Sequence, residues 1–235
     1  MSIIDSDFEQ KEFNDFIIQN GVVGFYASPV TLKSGRKSHW YVDWRKITED
    51  AYLADRLAEY IIRYALSRDI KPDSFVGVPE GATKIGIVTQ MMWAQQAHLV
   101  GGRPYAPGSY SLSMGRGKPK VRGPVENRYF LGFPEGKVVV IEDVTTTGGS
   151  LLNVISDIKE LEGVESIVAF GLTNRREVTP IPGVDDEEKT VRPLGSRSCG
   201  PPRRQYHRCW QSSRRQVPRD CGKRSLLEQG REEIQ

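Results

Sequence analysis

The stretch Val138-Val-Val-Ile-Glu-Asp-Val-Thr-Thr-Thr-Gly-Gly-Ser150 decides the fold. Its apolar run reads as a buried strand, and that strand delivers two adjacent carboxylates, Glu142 and Asp143, to its carboxyl end. Three Thr, two Gly and a Ser then turn the chain into a helix. Small residues let the backbone approach a ligand closely, and a helix start presents unpaired N–H groups to an anion. The hydroxyls of Thr145, Thr146, Thr147 and Ser150 add donors, so the turn fits a phosphate monoester. Carboxylates beside such a turn suit a sugar phosphate, because they accept hydrogen bonds from vicinal hydroxyls. The bland alternative is a plain strand–turn–helix capped by Thr and Ser. No Gly-Lys-Ser/Thr follows a Gly at Walker spacing, so an NTPase loop is excluded.

The flanking sequence continues the alternation. Leu151, Val154, Ile155, Ile158 and Leu161 align on one helical face, Gly163 ends that helix, and 166–172 reads as a further buried strand. Upstream, a helix begins at Thr48 with Leu53, Leu57, Ile61 and Tyr64 on one face, and Pro72 lies beyond its end. Residues 74–78 read as a strand, 82–97 as a helix with Ile85, Val88 and Met92 inward, and 98–100 as a short strand. Strand, helix and strand, twice over, predict an α/β fold with a mainly parallel sheet flanked by helices on both faces. Ligands of such sheets bind at the carboxyl ends of the strands. Residues 103–132, rich in Gly, Pro, Lys, Arg and Ser, show no period and read as a functional loop or disorder. At the amino end, Ser6-Asp-Phe-Glu9 has the form of a capping box before a short amphipathic helix carrying Phe13, Phe16 and Ile17, which predicts a small hood or lid.

A second informative stretch is Thr31-Leu-Lys-Ser-Gly-Arg-Lys-Ser-His-Trp-Tyr-Val-Asp-Trp-Arg45. Four cations (Lys33, Arg36, Lys37 and Arg45) surround Trp40, Tyr41 and Trp44. Cations suit an acidic acceptor and aromatic rings stack on a planar one. From chemistry alone, a hairpin with a solvated basic turn fits equally well.

The strand, acid pair and Thr/Gly-rich turn at 138–150 resemble the phosphoribosyl pyrophosphate (PRPP) motif of type I phosphoribosyltransferases. Leu-Lys-Ser-Gly-Arg-Lys-Ser before an aromatic strand resembles the amino-terminal signature of the orotate phosphoribosyltransferases within that family. The resemblance covers 31–177 and implies a glycosyltransferase that joins orotate to PRPP. The products are then orotidine 5′-monophosphate and pyrophosphate, on the route to UMP. It implies that Glu142 and Asp143 hold the ribose hydroxyls, that Thr145, Thr146, Thr147, Gly148, Gly149 and Ser150 wrap the 5-phosphate, and that Lys33 reaches PRPP. Orotate is implied to meet Tyr41, Val42, Thr146 and Arg175, the last from Thr173-Asn-Arg-Arg-Glu177. Gly77-Val-Pro-Glu-Gly-Ala-Thr83 resembles the family's turn near the pyrophosphate, with Glu80 and Gly81 where many relatives carry Tyr-Lys. The family's mobile basic loop is resembled by 113–123, which makes Arg116, Lys118 and Lys120 catalytic candidates beside Asp143, with Arg122 as a further cation. Here the usual Lys-x-His-Gly is missing. Mg²⁺ is implied on PRPP rather than on a side-chain site, and a homodimer is implied as the assembly.

Charge divides the chain at one point. Residues 192–235 carry eleven Lys or Arg against four acids, a net +7, while the first 191 carry 22 against 26, a net −4. Cys199, Cys209 and Cys221 all fall in that tail, at spacings that match no zinc pattern. With ten apolar residues in 44 and no period, the tail is expected to be disordered. Residues 1–191 are therefore expected to form the phosphoribosyltransferase-like domain. The tail reads either as a natural polyanion-binding extension or as an out-of-frame segment; the abrupt change favours the second. No apolar run has the length of a membrane span and no signal peptide is evident, so a cytoplasmic protein without membrane or nucleic-acid partners is expected. Two other functions compete: a phosphoribosyltransferase for another base, and a non-catalytic PRPP-binding regulator.

Overall fold

The computed structural model describes residues 7–32 and 37–175. Lys33, Arg36 and the tail 192–235 lie outside the described residues. The elements run α1 (Gln10–Gln19), β1 (Val23–Thr31), β2 (Lys37–Val42), α2 (Arg45–Thr48), α3 (Ala51–Ser67), β3 (Ser74–Gly77) and α4 (Thr83–Gln96). After α4 come β4 (Met114–Gly115), α5 (Val125–Tyr129), β5 (Phe130–Leu131), β6 (Gly136–Thr145), α6 (Gly149–Lys159) and β7 (Val164–Asn174).

Three parallel strands, in the order β3-β6-β7, form the central sheet. Side chains alternate along a strand, and β6 shows what that alternation does. Val139 and Ile141 join Leu57, Ile61, Phe75, Ile85 and Phe170 in the core beneath α3 and α4. Val138 and Val140 face the other way, onto Val154, Ile155 and Ile158 of α6. Helices therefore cover both faces, and the run of four apolar residues is buried throughout.

Several boundaries move from the sequence expectation, each for a local reason. Glu9 takes the N-cap position of α1 with no side-chain cap, and Ser6 of the expected capping box lies outside the described residues. The long helix begins at Ala51 rather than Thr48, because the Asp50 carboxylate accepts from Leu53 N at 2.9 Å. Residues 98–100 are not a strand: Ala97–Val100 is a short 3-10 helix, closed by Gly102 N donating to Ala97 O at 2.8 Å. The edge of β3 that such a strand would have met is occupied by a side chain. Gln90 of α4 accepts from Phe75 N at 2.9 Å and donates to Asp73 O and Ser111 O.

The 103–132 stretch is largely irregular but anchored. Arg103 bridges Asp73 and Glu135 and lies over the Tyr110 ring, and β4 pairs antiparallel with β5. At the amino end, α1 and the β1–β2 hairpin form the hood. Phe13 of α1 is fully buried between Trp44 and Tyr60. Among the described residues, no helix is long and apolar enough to cross a membrane.

Candidate active site

β6 carries its two acids to opposite faces, as adjacent strand residues must. Glu142 turns under the first turn of α6 and is only 5% exposed. Its Oε2 accepts from the Thr145 hydroxyl at 2.6 Å. Burial pushes the Glu142 carboxyl up to about 7, against the opposing effects of the Thr145 hydroxyl and the Leu151 N–H; the Asp143 charge adds to the rise.

Asp143 points to the other side, against Gly81, where a Cβ would stand 2.1 Å from Oδ2. Burial raises the Asp143 carboxyl as well, while the N–H groups of Val144 and Asp143 itself hold it down, helped by the nearby Arg45 charge. Arg45 in turn lies 3.5 Å from Asp43 and donates to the Tyr41 hydroxyl at 3.2 Å.

Beyond the acids, Thr146 and Thr147 are half-buried, and Gly148 N-caps α6 with a left-handed φ of 83°. Gly149 and Ser150 are exposed in the first helical turn, where N–H groups have no helical acceptor.

The 79–81 turn closes over this end of the sheet. Val78 N donates to Ile141 O and Ala82 N to Val78 O, which fixes the turn beside β6; the Pro79–Glu80 peptide is cis. The base of the basic loop lies directly on the turn. A Cβ on Gly115 would meet the Pro79 ring at 2.8 Å, and one on Gly117 would meet Glu80 Oε1 at 2.9 Å. Arg116 N donates to Tyr129 O, and Lys120 N to Arg128 O. Lys118 and Lys120 are exposed, whereas Arg116 is half-buried with its Nε lacking a hydrogen-bond partner among the described residues.

The hairpin completes the arrangement. Val42 is buried, Tyr41 is half-buried, and Trp44 Nε1 donates to Thr173 Oγ1 of β7 at 3.0 Å. Arg175, just past β7, sends its guanidinium to Ser38 Oγ at 2.8 Å and to Trp40 O at 3.3 Å. Asp143, the 79–81 turn, the base of the basic loop and the β6–α6 turn thus meet at the carboxyl edge of one sheet. Glu142 belongs to the buried side of that edge.

Gly81, Asp43 and Ser38 were not singled out as site residues from the sequence. The Asp43-x-Arg45 pair in the aromatic strand was the available signal for one of them. Gly81 lies in the 77–83 turn and Ser38 ends the Lys/Arg signature, but their contacts with Asp143 and Arg175 come from distant segments.

Acid pair, hydroxyl-rich turn and parallel sheet define an α/β protein with its polar groups gathered at the strand ends. No family model matches the chain. Over 160 residues it is 32% identical to the orotate phosphoribosyltransferase of Bradyrhizobium diazoefficiens, covering 65% of this chain and 77% of that one. It is 30% identical over 172 residues to the orotate phosphoribosyltransferase of Methanosphaera stadtmanae, covering 73% and 85%. Among solved structures, the orotate phosphoribosyltransferase of Aeropyrum pernix aligns with a TM-score of 0.49 and 22% identity, over 69% of this chain and 81% of that one. The chain belongs to the orotate phosphoribosyltransferase family.

Proposed function

We propose that this protein transfers the phosphoribosyl group of PRPP to orotate, releasing pyrophosphate and forming orotidine 5′-monophosphate for pyrimidine biosynthesis. Family membership supports the reaction. The observation that carries it to these residues is the meeting of Asp143, the 79–81 turn and the base of the basic loop at one sheet edge.

In this reading the β6–α6 turn, from Thr145 and Thr146 through Thr147, Gly148 and Gly149 to Ser150, holds the 5-phosphate with backbone N–H groups and hydroxyls. Asp143 accepts from a ribose hydroxyl. Glu142 supports the turn from the buried side, accepting from the Thr145 hydroxyl. Lys33, outside the described residues, is assigned to PRPP.

Orotate lies between the hairpin at Tyr41 and Val42 and the Thr146 side of the turn. Arg175 brings positive charge to the hairpin side, which suits the orotate carboxylate. As the bond from ribose C1 to pyrophosphate breaks and the bond to the base nitrogen forms, positive charge builds on the sugar and negative charge on the leaving group. Catalysis is then mostly positioning and charge stabilisation. Arg116, Lys118 and Lys120, rooted over the 79–81 turn, supply the cations for the departing pyrophosphate.

Mg²⁺ belongs to the same proposal. Asp143 offers a hard oxygen donor where the pyrophosphate is expected, which fits an ion that takes its remaining ligands from substrate oxygens and water. Such an ion would neutralise phosphate charge. A homodimer sharing the basic loop across its interface is the proposed assembly.

Mixing the protein with PRPP, Mg²⁺ and orotate and following orotate absorbance tests the function. Loss of absorbance that needs all three components, with release of pyrophosphate, is the expected result. Turnover of a purine base with orotate untouched would overturn it.

A further inference from the structure

The β1–β2 hairpin carries the proposed base side of the site, yet among the described residues it shares no ladder with the parallel sheet. Where β2 gives way to α2, its link to that sheet is neutral and buried. Trp44 Nε1 donates to Thr173 Oγ1 of β7 at 3.0 Å, across 129 residues of sequence. Trp44 is 1% exposed and Thr173 6%.

Both residues stand at junctions. The Trp44 carbonyl accepts from Ile47 N and Thr48 N and so starts α2, while Asp43 N donates to Val22 O. Val42, just before, still pairs with Val23 in the hairpin ladder. The Trp44 ring stacks on Phe13 of α1, with centroids 5.9 Å apart. Thr173 pairs with Val144 in the β6–β7 ladder, on the rung before Thr145 and Asn174. The bond therefore ties the end of the Tyr41–Val42 strand to the rung beneath the phosphate turn.

Packing alone does not require that bond. A buried hydrogen bond adds little net stability over an apolar pair of the same shape, although leaving its donor unpaired is costly. What it adds is direction, since an N–H aimed at a hydroxyl holds one distance and one angle.

We propose that Trp44 and Thr173 form a positioning pair, whose bond sets the distance between the hairpin and the β6–α6 turn and so the width of the base pocket between Tyr41–Val42 and Thr146. Both act through the backbone, at 41–43 on one side and 144–146 on the other. The inference rests on the hairpin being the base side of the site, as proposed above.

Three substitutions in the full chain test it. Thr173→Val keeps the shape and removes the acceptor, Thr173→Ser keeps the hydroxyl and removes the methyl group, and Trp44→Phe removes the donor. KM for orotate, KM for PRPP and kcat are measured separately, and amide hydrogen exchange of residues 41–43 is followed without ligand. We expect Thr173→Val to speed that exchange and to raise KM for orotate about fivefold, the worth of one neutral hydrogen bond. KM for PRPP and kcat should stay close to wild type, and Thr173→Ser should match wild type throughout. The double variant of Trp44→Phe and Thr173→Val should be no worse than Trp44→Phe alone, because both changes break one bond. A KM for orotate raised as much by Thr173→Ser as by Thr173→Val would overturn the proposal and make the pair a packing contact. Unchanged exchange in Thr173→Val, or effects that multiply in the double variant, would overturn it too. If Thr173→Val does not fold, Trp44→Phe against Thr173→Ser decides by the same readouts. If the wild type never consumes orotate, the reaction assignment fails alone and ligand-free exchange still decides. Faster exchange in Thr173→Val but not in Thr173→Ser supports the positioning pair, and any other pattern rejects it.

Discussion

Gly81 stands so close to Asp143 that a Cβ built on it would lie 2.1 Å from the carboxylate Oδ2. The clash is with a side-chain end, not with backbone, so the carboxylate can swing aside at small cost to folding. Gly81→Ala is therefore expected to leave the melting temperature near wild type while raising KM for PRPP by about tenfold or more, the cost of a misdirected charged acceptor. Thermal melts paired with PRPP kinetics check this. A large loss of stability with normal PRPP use would make Gly81 a packing residue instead.

Glu142 carries a pH dependence with a definite sign. Its carboxyl is raised by burial to about 7, so the folded state holds a proton that the unfolded chain releases near 4.5. This group thus lowers stability progressively as pH rises from about 4.5 to about 7, and adds nothing further above that window. Glu142→Gln is isosteric, still accepts from Thr145 and cannot ionise. The variant should be more stable than wild type at pH 8, by on the order of 2 kcal/mol, and close to it at pH 4.5. Denaturant titrations at the two pH values would show it. A gap that does not change with pH would mean that Glu142 ionises freely in the folded protein.

The basic loop is expected to act mainly at the transition state. Lys118→Ala and Lys120→Ala should each lower kcat far more than they weaken PRPP binding. If the loop reaches across the proposed homodimer, mixing a loop variant with Asp143→Asn should restore part of the activity, since one site of the hybrid is then intact. Equal small effects from both lysines, without complementation, would make the loop a solvated surface.

Gln90 stands in for a strand neighbour at the edge of β3. Gln90→Leu keeps the volume but leaves the buried Phe75 N–H and the Asp73 carbonyl without this partner. It should cost about 1–3 kcal/mol, measured by urea unfolding, and the effect should be confined to stability.

We expect a chain ending at residue 191 to retain wild-type kcat/KM. The reason is compositional: 192–235 holds too few apolar residues, and with no period, to contribute a packed layer. Comparing purified full-length and shortened protein decides it, and a loss of activity on shortening would make the tail a working element.

Much of the architecture was legible in sequence because it rests on local periodicity. The run 138–141 and the helical spacing of Leu57, Ile61 and Tyr64 specify a buried strand and an amphipathic helix without reference to any distant residue. Acids followed by Thr and Gly specify a strand end and a tight turn for the same reason. Even where boundaries slipped, as at Asp50, the cause was a cap one or two residues along the chain.

What only the tertiary structure decided is which neighbours each polar group meets. Sequence alone paired Glu142 with Asp143, but the pleat sends them to opposite faces, one beneath α6 and the other against Gly81. It read 98–100 as a strand, whereas Gln90 had already satisfied that edge from a helix. It placed Arg175 at a strand end, but could not supply Ser38 and Trp40, 137 and 135 residues away, as its partners. Periodicity encodes which side of an element is apolar. The close approach of side chains from remote segments follows only once those apolar sides have packed together.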